Sequence, residues 1–182
     1  MPENISLSVA TTGDARALVA LRTAVAQGMT RRFGEGHWSA CPGRAEVVRQ
    51  LRASHVLVAR QGAELVGTVR LVRALPGVID SSSFTVVANP WYVLGLAVAP
   101  ERQGQGVGRQ LMDAAKQAAL ARGAQALWLD AYEHQAGAGP FYMKCGFSRV
   151  GRTAHGQVPL IYFEWLATRS PAGPSQLAVH HS

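Results

Sequence analysis

The segment Pro100-Glu101-Arg102-Gln103-Gly104-Gln105-Gly106-Val107-Gly108-Arg109 constrains this chain more than any other. It follows an apolar run at residues 92–99 and precedes a stretch of helical periodicity at 109–122, so it reads as a strand-to-helix turn. Glycine at alternate positions removes the Cβ atoms that would hold a ligand away from the backbone. The helix behind it offers unpaired N–H groups and a partial positive charge, which together make a phosphate site. Arg102 and Arg109 add charge at its rim. A nucleotide P-loop would end in Gly-Lys-Ser/Thr, and here Gly108 is followed by Arg109-Gln110. A dinucleotide fingerprint is spaced G-x-G-x-x-G, not G-x-G-x-G, although Asp130 lies roughly 20 residues on, where that fold carries its ribose-binding acid. A glycine-rich turn without a ligand is the plainer alternative, but a mere turn would not require the backbone entropy of these glycines.

Periodicity places the rest of the chain around that turn. Residues 5–10 alternate as an edge strand, and Thr11-Thr12-Gly13-Asp14 reads as a helix start, with a threonine cap and an acid in the first turn. Leu18, Leu21, Val25 and Met29 form one helical stripe. Gly34, Gly36 and Pro42 make residues 31–42 a loop, and a second helix at 44–53 turns Val47, Val48 and Leu51 inward. Residues 55–60 and 65–74 alternate with period two about a hairpin connection at 61–64. Residues 76–90 read as a loop holding a brief strand at 84–87. The run at 92–99 is apolar on both faces, as a strand covered on both sides must be, and Pro100 stops it. The helix at 109–122, with Leu111, Ala115 and Ala118 in register and Gly123 as its stop, leads to a core strand at 127–132. That order makes a parallel βαβ unit. A short helix at 136–144 and antiparallel strands at 147–152 and 159–166 complete the pattern. The expectation is one α/β (α+β) domain over residues 1–167, a mixed central sheet flanked by helices, with a flexible tail of Ser, Pro, Gly and Ala at 168–182.

A chain of 182 residues can bury a self-sufficient core. With 48% hydrophobic and 16% charged residues, intrinsic disorder is excluded. No apolar run approaches the roughly 20 residues of a membrane helix, and Met1-Pro2-Glu3-Asn4 opens without signal-peptide character. A cytoplasmic protein without membrane contact is expected. The net charge of +7 admits a nucleic acid, an anionic cofactor or an acidic substrate. The arginines, among them Arg16, Arg49, Arg70, Arg102, Arg122 and Arg149, are dispersed, so they read as solvated surface and argue against nucleic acid. Cys41 and Cys145 do not have metal-ligand spacing, and a disulfide between them is not implied.

Two motifs resemble those of a known family. Gln103-x-x-Gly106-x-Gly108 after an apolar strand resembles the acetyl-CoA pyrophosphate motif of the GNAT N-acetyltransferase superfamily. Ala138-Gly139-Pro140-Phe141-Tyr142-Met143-Lys144-Cys145-Gly146-Phe147 is similar to that family's A-x-x-[LF]-Y-x-x-x-G-F element, and the order and separation of the two also fit. The resemblance implies a GNAT-like sheet whose two central parallel strands, at 92–99 and 127–132, splay apart to admit the pantetheine arm. It implies acetyl-CoA as acyl donor and a primary amine as acceptor, joined in a ternary complex. Leu96, Ala97 and Val98 would bond the pantetheine amides through their backbone, and the N–H groups from Gln103, Gly104, Gln105, Gly106, Val107 and Gly108 to Arg109 would hold the pyrophosphate. Tyr142 matches the general acid that protonates the departing thiolate, with Phe141 beneath it.

The chain departs from the family in two places. Gln135 stands where the family often has a pantetheine-binding Asn, one methylene longer but with the same amide. The central strand lacks the Glu that serves several members as base, which leaves Asp130, Glu133 and His134 as candidates, directly or through water. On the acceptor side the resemblance points to Phe33, Glu35, His37 and Trp38, and to Asp80, Phe84 and Trp91. Neither cysteine has an evident His base beside it, so no covalent intermediate is implied. A non-catalytic acyl-CoA-binding module and an enzyme acting on nucleic-acid-linked amines are the competing readings, and a homodimer is left open.

Overall fold

The two central strands part because each keeps its outer neighbour and gives up the inner one. In the computed structural model, which describes residues 4–73, 77 and 79–167, the fourth strand, β4 (Pro90–Val98), and the fifth, β5 (Ala126–Tyr132), pair in parallel. That pairing runs from Pro90↔Ala126 to Tyr92↔Trp128 and then ends. Beyond it β4 stays on β3 (Glu64–Val72) as far as Gly67↔Val98. Meanwhile β5 stays on β7 (Val158–Leu166) as far as Tyr132↔Leu160. A bulge adds to the divergence: Arg70 opposes Leu94 and Thr68 opposes Ala97, so β4 carries one residue more than β3 over this span. Gly95 lies inside it with a φ of 61°, a backbone region costly for any residue with a Cβ.

Around this opening the sheet has seven strands in the order β1-β2-β3-β4-β5-β7-β6, adding β1 (Ile5–Val9), β2 (His55–Gln61) and β6 (Ser148–His155). Every other neighbouring pair is antiparallel, so the sheet is mixed, as expected. One face is covered by α3 (Val107–Leu120), which buries Leu111, Met112 and Ala115 against Val69, Leu71, Leu127 and Phe163. The other face takes α1 (Ala15–Phe33) and α2 (Arg44–Ala53), with Leu18, Leu21 and Val47 packed on Val58 and Leu65. A short helix, α4 (Gly139–Lys144), follows β5. Both cysteines are free, Cys41 exposed and Cys145 buried. Among the described residues no helix is long and apolar enough to cross a membrane. The tail expected at 168–182 lies outside the described residues.

Several boundaries differ from the sequence reading. Helix α1 runs on to Phe33, past the loop expected from residue 31, because nothing breaks it before Gly34 and Arg31 and Arg32 favour its C-terminal end. Helix α3 starts at Val107, two residues early, since Gly106 takes the left-handed cap at φ 85° and frees the next residues to be helical. No strand forms at 84–87. Thr85 gives its N–H to Glu164 at 2.9 Å and its hydroxyl to the same carboxylate at 2.7 Å, so a side chain replaces the ladder partner. Phe84 is buried against Trp128 and Tyr162. Arg70, read as solvated surface, is half-buried because β3 turns it toward α1 and α2.

Candidate active site

The opening between β4 and β5 holds two cavities that share Val25, Leu96, Ala97 and Ala138 as walls. The first, of about 480 Å³, lies along the glycine turn. Its remaining walls include Val98, Gln103, Gly104, Gly106, Gly108 and Phe141, with Arg102, Arg109 and Lys144 as its charged residues. Three cations and no carboxylate at the start of a helix suit a polyphosphate. The first bond inside α3 runs from the Gln110 N–H to the Gly106 carbonyl at 3.0 Å, so the N–H groups of Val107, Gly108 and Arg109 precede the helical ladder. A Cβ at Gly104 or Gly106 would meet nothing within 4 Å, so the turn faces open space, and the buried Arg102 Nε has no hydrogen-bond partner among the described residues. These features fit a pyrophosphate-bearing ligand. The turn is braced by its neighbours. Gln103 Nε2 donates to the Val98 carbonyl at 3.1 Å, Gln105 Nε2 to Glu101 at 2.9 Å, and Arg109 Nη1 to the Lys144 carbonyl at 3.0 Å.

The second cavity, of about 380 Å³, is where Tyr142 comes to the surface of the core. Tyr142 is 8% exposed, and its hydroxyl bonds to no described residue. Burial first, then the negative charge of Asp130, push its phenol above the ordinary tyrosine range, so it stays protonated at neutral pH. Asp130 lies in the same wall and accepts a 2.5 Å hydrogen bond from the Tyr92 hydroxyl. Burial, followed by this carboxylate, pushes the Tyr92 phenol up as well, so Tyr92 acts as a fixed donor that orients Asp130. A proton donor and a carboxylate thus face one space. Cys145 borders the first cavity, and burial raises its thiol, which keeps it from acting as a ready nucleophile.

The far wall is aromatic. His37 and Trp38 line the second cavity. Trp38 stacks on His134 with ring centres 5.0 Å apart and meets Tyr132 edge-on at 5.7 Å, and Phe33 meets Trp38 edge-on at 6.4 Å. The Trp38 indole N–H donates to the Gly34 carbonyl at 2.9 Å, which ties the wall to the end of α1.

Other expected site residues lie elsewhere. Glu133 lines neither cavity and is taken by Arg152 and Arg149. Gln135 is exposed on the turn before α4. Asp80 is exposed and caps Ser82. Phe84 and Trp91 are buried in separate core clusters. Glu35 is exposed and borders neither cavity. The Val107 side chain is core, and the Gln105 amide is turned to Glu101, so neither residue offers the site more than its backbone. The sequence reading missed Tyr92, Arg22 and Lys144. A tyrosine in a strand apolar on both faces and an arginine one turn after Leu18 were the available signals.

The model of the acetyltransferase (GNAT) family matches residues 23–147. The fold is also that of solved structures with low sequence identity. The PaiA N-acetyltransferase of Thermoplasma acidophilum in complex with coenzyme A is 16% identical, with a TM-score of 0.67 over 89% of this chain and 99% of that one. A GCN5-related N-acetyltransferase of Rhodopseudomonas palustris is 23% identical, with a TM-score of 0.68 over 92% of this chain and 98% of that one. YncA of Salmonella typhimurium with its cofactor acetyl-CoA is 16% identical, with a TM-score of 0.65 over 92% and 96%. No curated protein sequence matches the chain.

Proposed function

This chain belongs to the GNAT acetyltransferase family, and we propose that it moves an acetyl group from acetyl-CoA to a primary amine by direct attack in a ternary complex. The observation that carries the reading is the pair of joined cavities, one cationic beside a helix start, the other presenting a protonated Tyr142 and the Asp130 carboxylate. The coenzyme A and acetyl-CoA held by the Thermoplasma and Salmonella proteins support the choice of donor.

When bound, acetyl-CoA supplies an activated thioester carbonyl. The N–H groups that open α3, with Arg102, Arg109 and Lys144 around them, hold the pyrophosphate. The β4 edge at Leu96, Ala97 and Val98, released from β5, offers backbone groups to the pantetheine amides. Asp130, oriented by Tyr92, takes the proton that the acceptor ammonium must lose. Tyr142 gives its proton to the departing sulfur. The reference values, about 10 for a phenol and about 8.5 for a thiol, make that transfer mildly uphill in water. Burial and Asp130 raise the phenol and so make it a weaker acid, which leaves its placement beside the sulfur to drive the transfer.

Calorimetric titration with acetyl-CoA tests the reading, with NAD as control. One-site binding of acetyl-CoA and none of NAD, followed by CoA release with an amine, is the expected outcome. Absence of binding by any CoA species overturns the reading. The same titration checks the turn. Gly106→Ala places a Cβ at φ 85°, a strain of about 1–2 kcal/mol. Relieving it turns the N–H groups away, so acetyl-CoA affinity is expected to fall about tenfold.

A further inference from the structure

Two arginines stand half-buried beside the second cavity, and neither makes a salt bridge among the described residues. Period two in β3 turns Thr68 and Arg70 toward α1 and α2, while Val69 and Leu71 turn to the α3 side. Arg22 comes down from α1 one turn after Leu18. With Gln50 and Gly95 they wall a slot of about 20 Å³, room for a single oxygen-sized atom, such as one oxygen of a carboxylate. Arg22 and Gly95 also wall the cavity that holds Tyr142 and Asp130, so slot and cavity adjoin.

Elsewhere among the described residues Arg60, Arg102, Arg149 and Arg152 each meet a carboxylate. Arg22 instead donates to Gln50 Oε1 at 2.7 Å, and Gln50 Nε2 donates to Glu46 at 2.8 Å, so the nearby acid is held behind an amide. Arg70 makes no hydrogen bond or salt bridge among the described residues. Burial lowers the pKa of both guanidinium groups, and the charge of Arg22 adds to the effect on Arg70, while Glu46 opposes it from a distance. Two like charges held half out of water, with no carboxylate in salt-bridge contact among the described residues, destabilise a fold. An anion between them would complete the site, and guanidinium forks match a carboxylate in particular. The cleft is then charged on both sides of β4, negative at Asp130 on β5 and positive at Arg70 on β3.

Resting on the acetyl-transfer reading above, we propose that the acceptor is a zwitterion, a primary amine that also bears a carboxylate, with the carboxylate seated between Arg22 and Arg70 and the amine beside Asp130 and Tyr142. The first test is a set of matched pairs, each common L-amino acid and the amine left when its carboxylate is removed, with CoA release followed. The acid-bearing member is expected to lead in kcat/KM by about thirtyfold or more, the range for a buried charge partner. Arg22→Met and Arg70→Met are each expected to bring that ratio close to one. A lead for the decarboxylated member overturns the proposal. The second test needs no turnover and uses the wild-type chain. In ¹⁵N-labelled protein titrated with sodium acetate at constant ionic strength, the Arg22 and Arg70 Nε–H resonances are expected to shift together and saturate. Acetate that moves neither, or moves all arginines alike, overturns the anion site. If acetate binds there while acetyl-CoA does not bind by calorimetry, the transfer reading fails and the anion site stands.

Discussion

Tyr142→Phe is expected to lower kcat by about 10²-fold or more while leaving acetyl-CoA affinity nearly unchanged. The loss corresponds to about 2.7 kcal/mol of barrier, which a positioned general acid can supply. The substitution is clean because the hydroxyl bonds to no described residue and the ring packs among Phe141, Phe147 and Phe163. Phe keeps those contacts, so the unfolding temperature should hold. A kcat within about threefold of wild type would remove Tyr142 from the chemistry and leave it a packing residue. The pH profile offers a second check. Burial and Asp130 raise the phenol, so loss of the acid form belongs above the ordinary tyrosine value of about 10. A descending limb of kcat near neutral pH would report another group.

Asp130→Asn and Glu133→Gln are expected to separate sharply. Asn at 130 can still accept the Tyr92 hydroxyl bond, so geometry is kept and only the proton acceptor is lost. kcat/KM should fall about 10²-fold, the usual size for a missing base. Glu133 is held by Arg149 and Arg152 outside both cavities, and its Gln variant should stay within about threefold, as an exposed ion pair contributes little. The reverse order would assign the base to Glu133, with Arg149 and Arg152 released when the acceptor enters. Burial is the larger cause of the raised Tyr142 phenol and Asp130 the second, so Asp130→Asn should let tyrosinate absorbance appear at lower pH, with Tyr92 and Tyr132, which the same carboxylate raises, moving alongside Tyr142.

The parts of the site that sequence made legible are those in which a local backbone conformation demands a residue type at a fixed offset. Gly104 and Gly106 stand at positive φ where the strand turns into α3, and no other residue takes those angles without strain. Tyr142 was legible for a related reason, since its short helix, the Gly146 turn and the strand after it form one continuous segment. The regular elements followed from periodicity, and α2 was placed to the residue.

The rest depended on which residues meet across the sheet. Asp130 and Glu133 are neighbours in sequence with like chemistry. Only the Tyr92 hydroxyl arriving from β4, and the arginines arriving from β6, give one to the cavity and the other to the surface. Phe84, expected near the acceptor, became core because Trp128 stacks on it at 4.4 Å and Tyr162 meets it at a tilt at 4.8 Å. Arg22 and Arg70 are far apart in the chain and read as ordinary surface charge until α1 is laid over β3. Sequence by itself determined the glycine turn, the short helix that carries Tyr142 and a mixed sheet flanked by helices, because backbone sterics and side-chain period are local. Tertiary structure decided which charges are paired, which are buried and which face one another, because those depend on distances between segments that no local rule encodes.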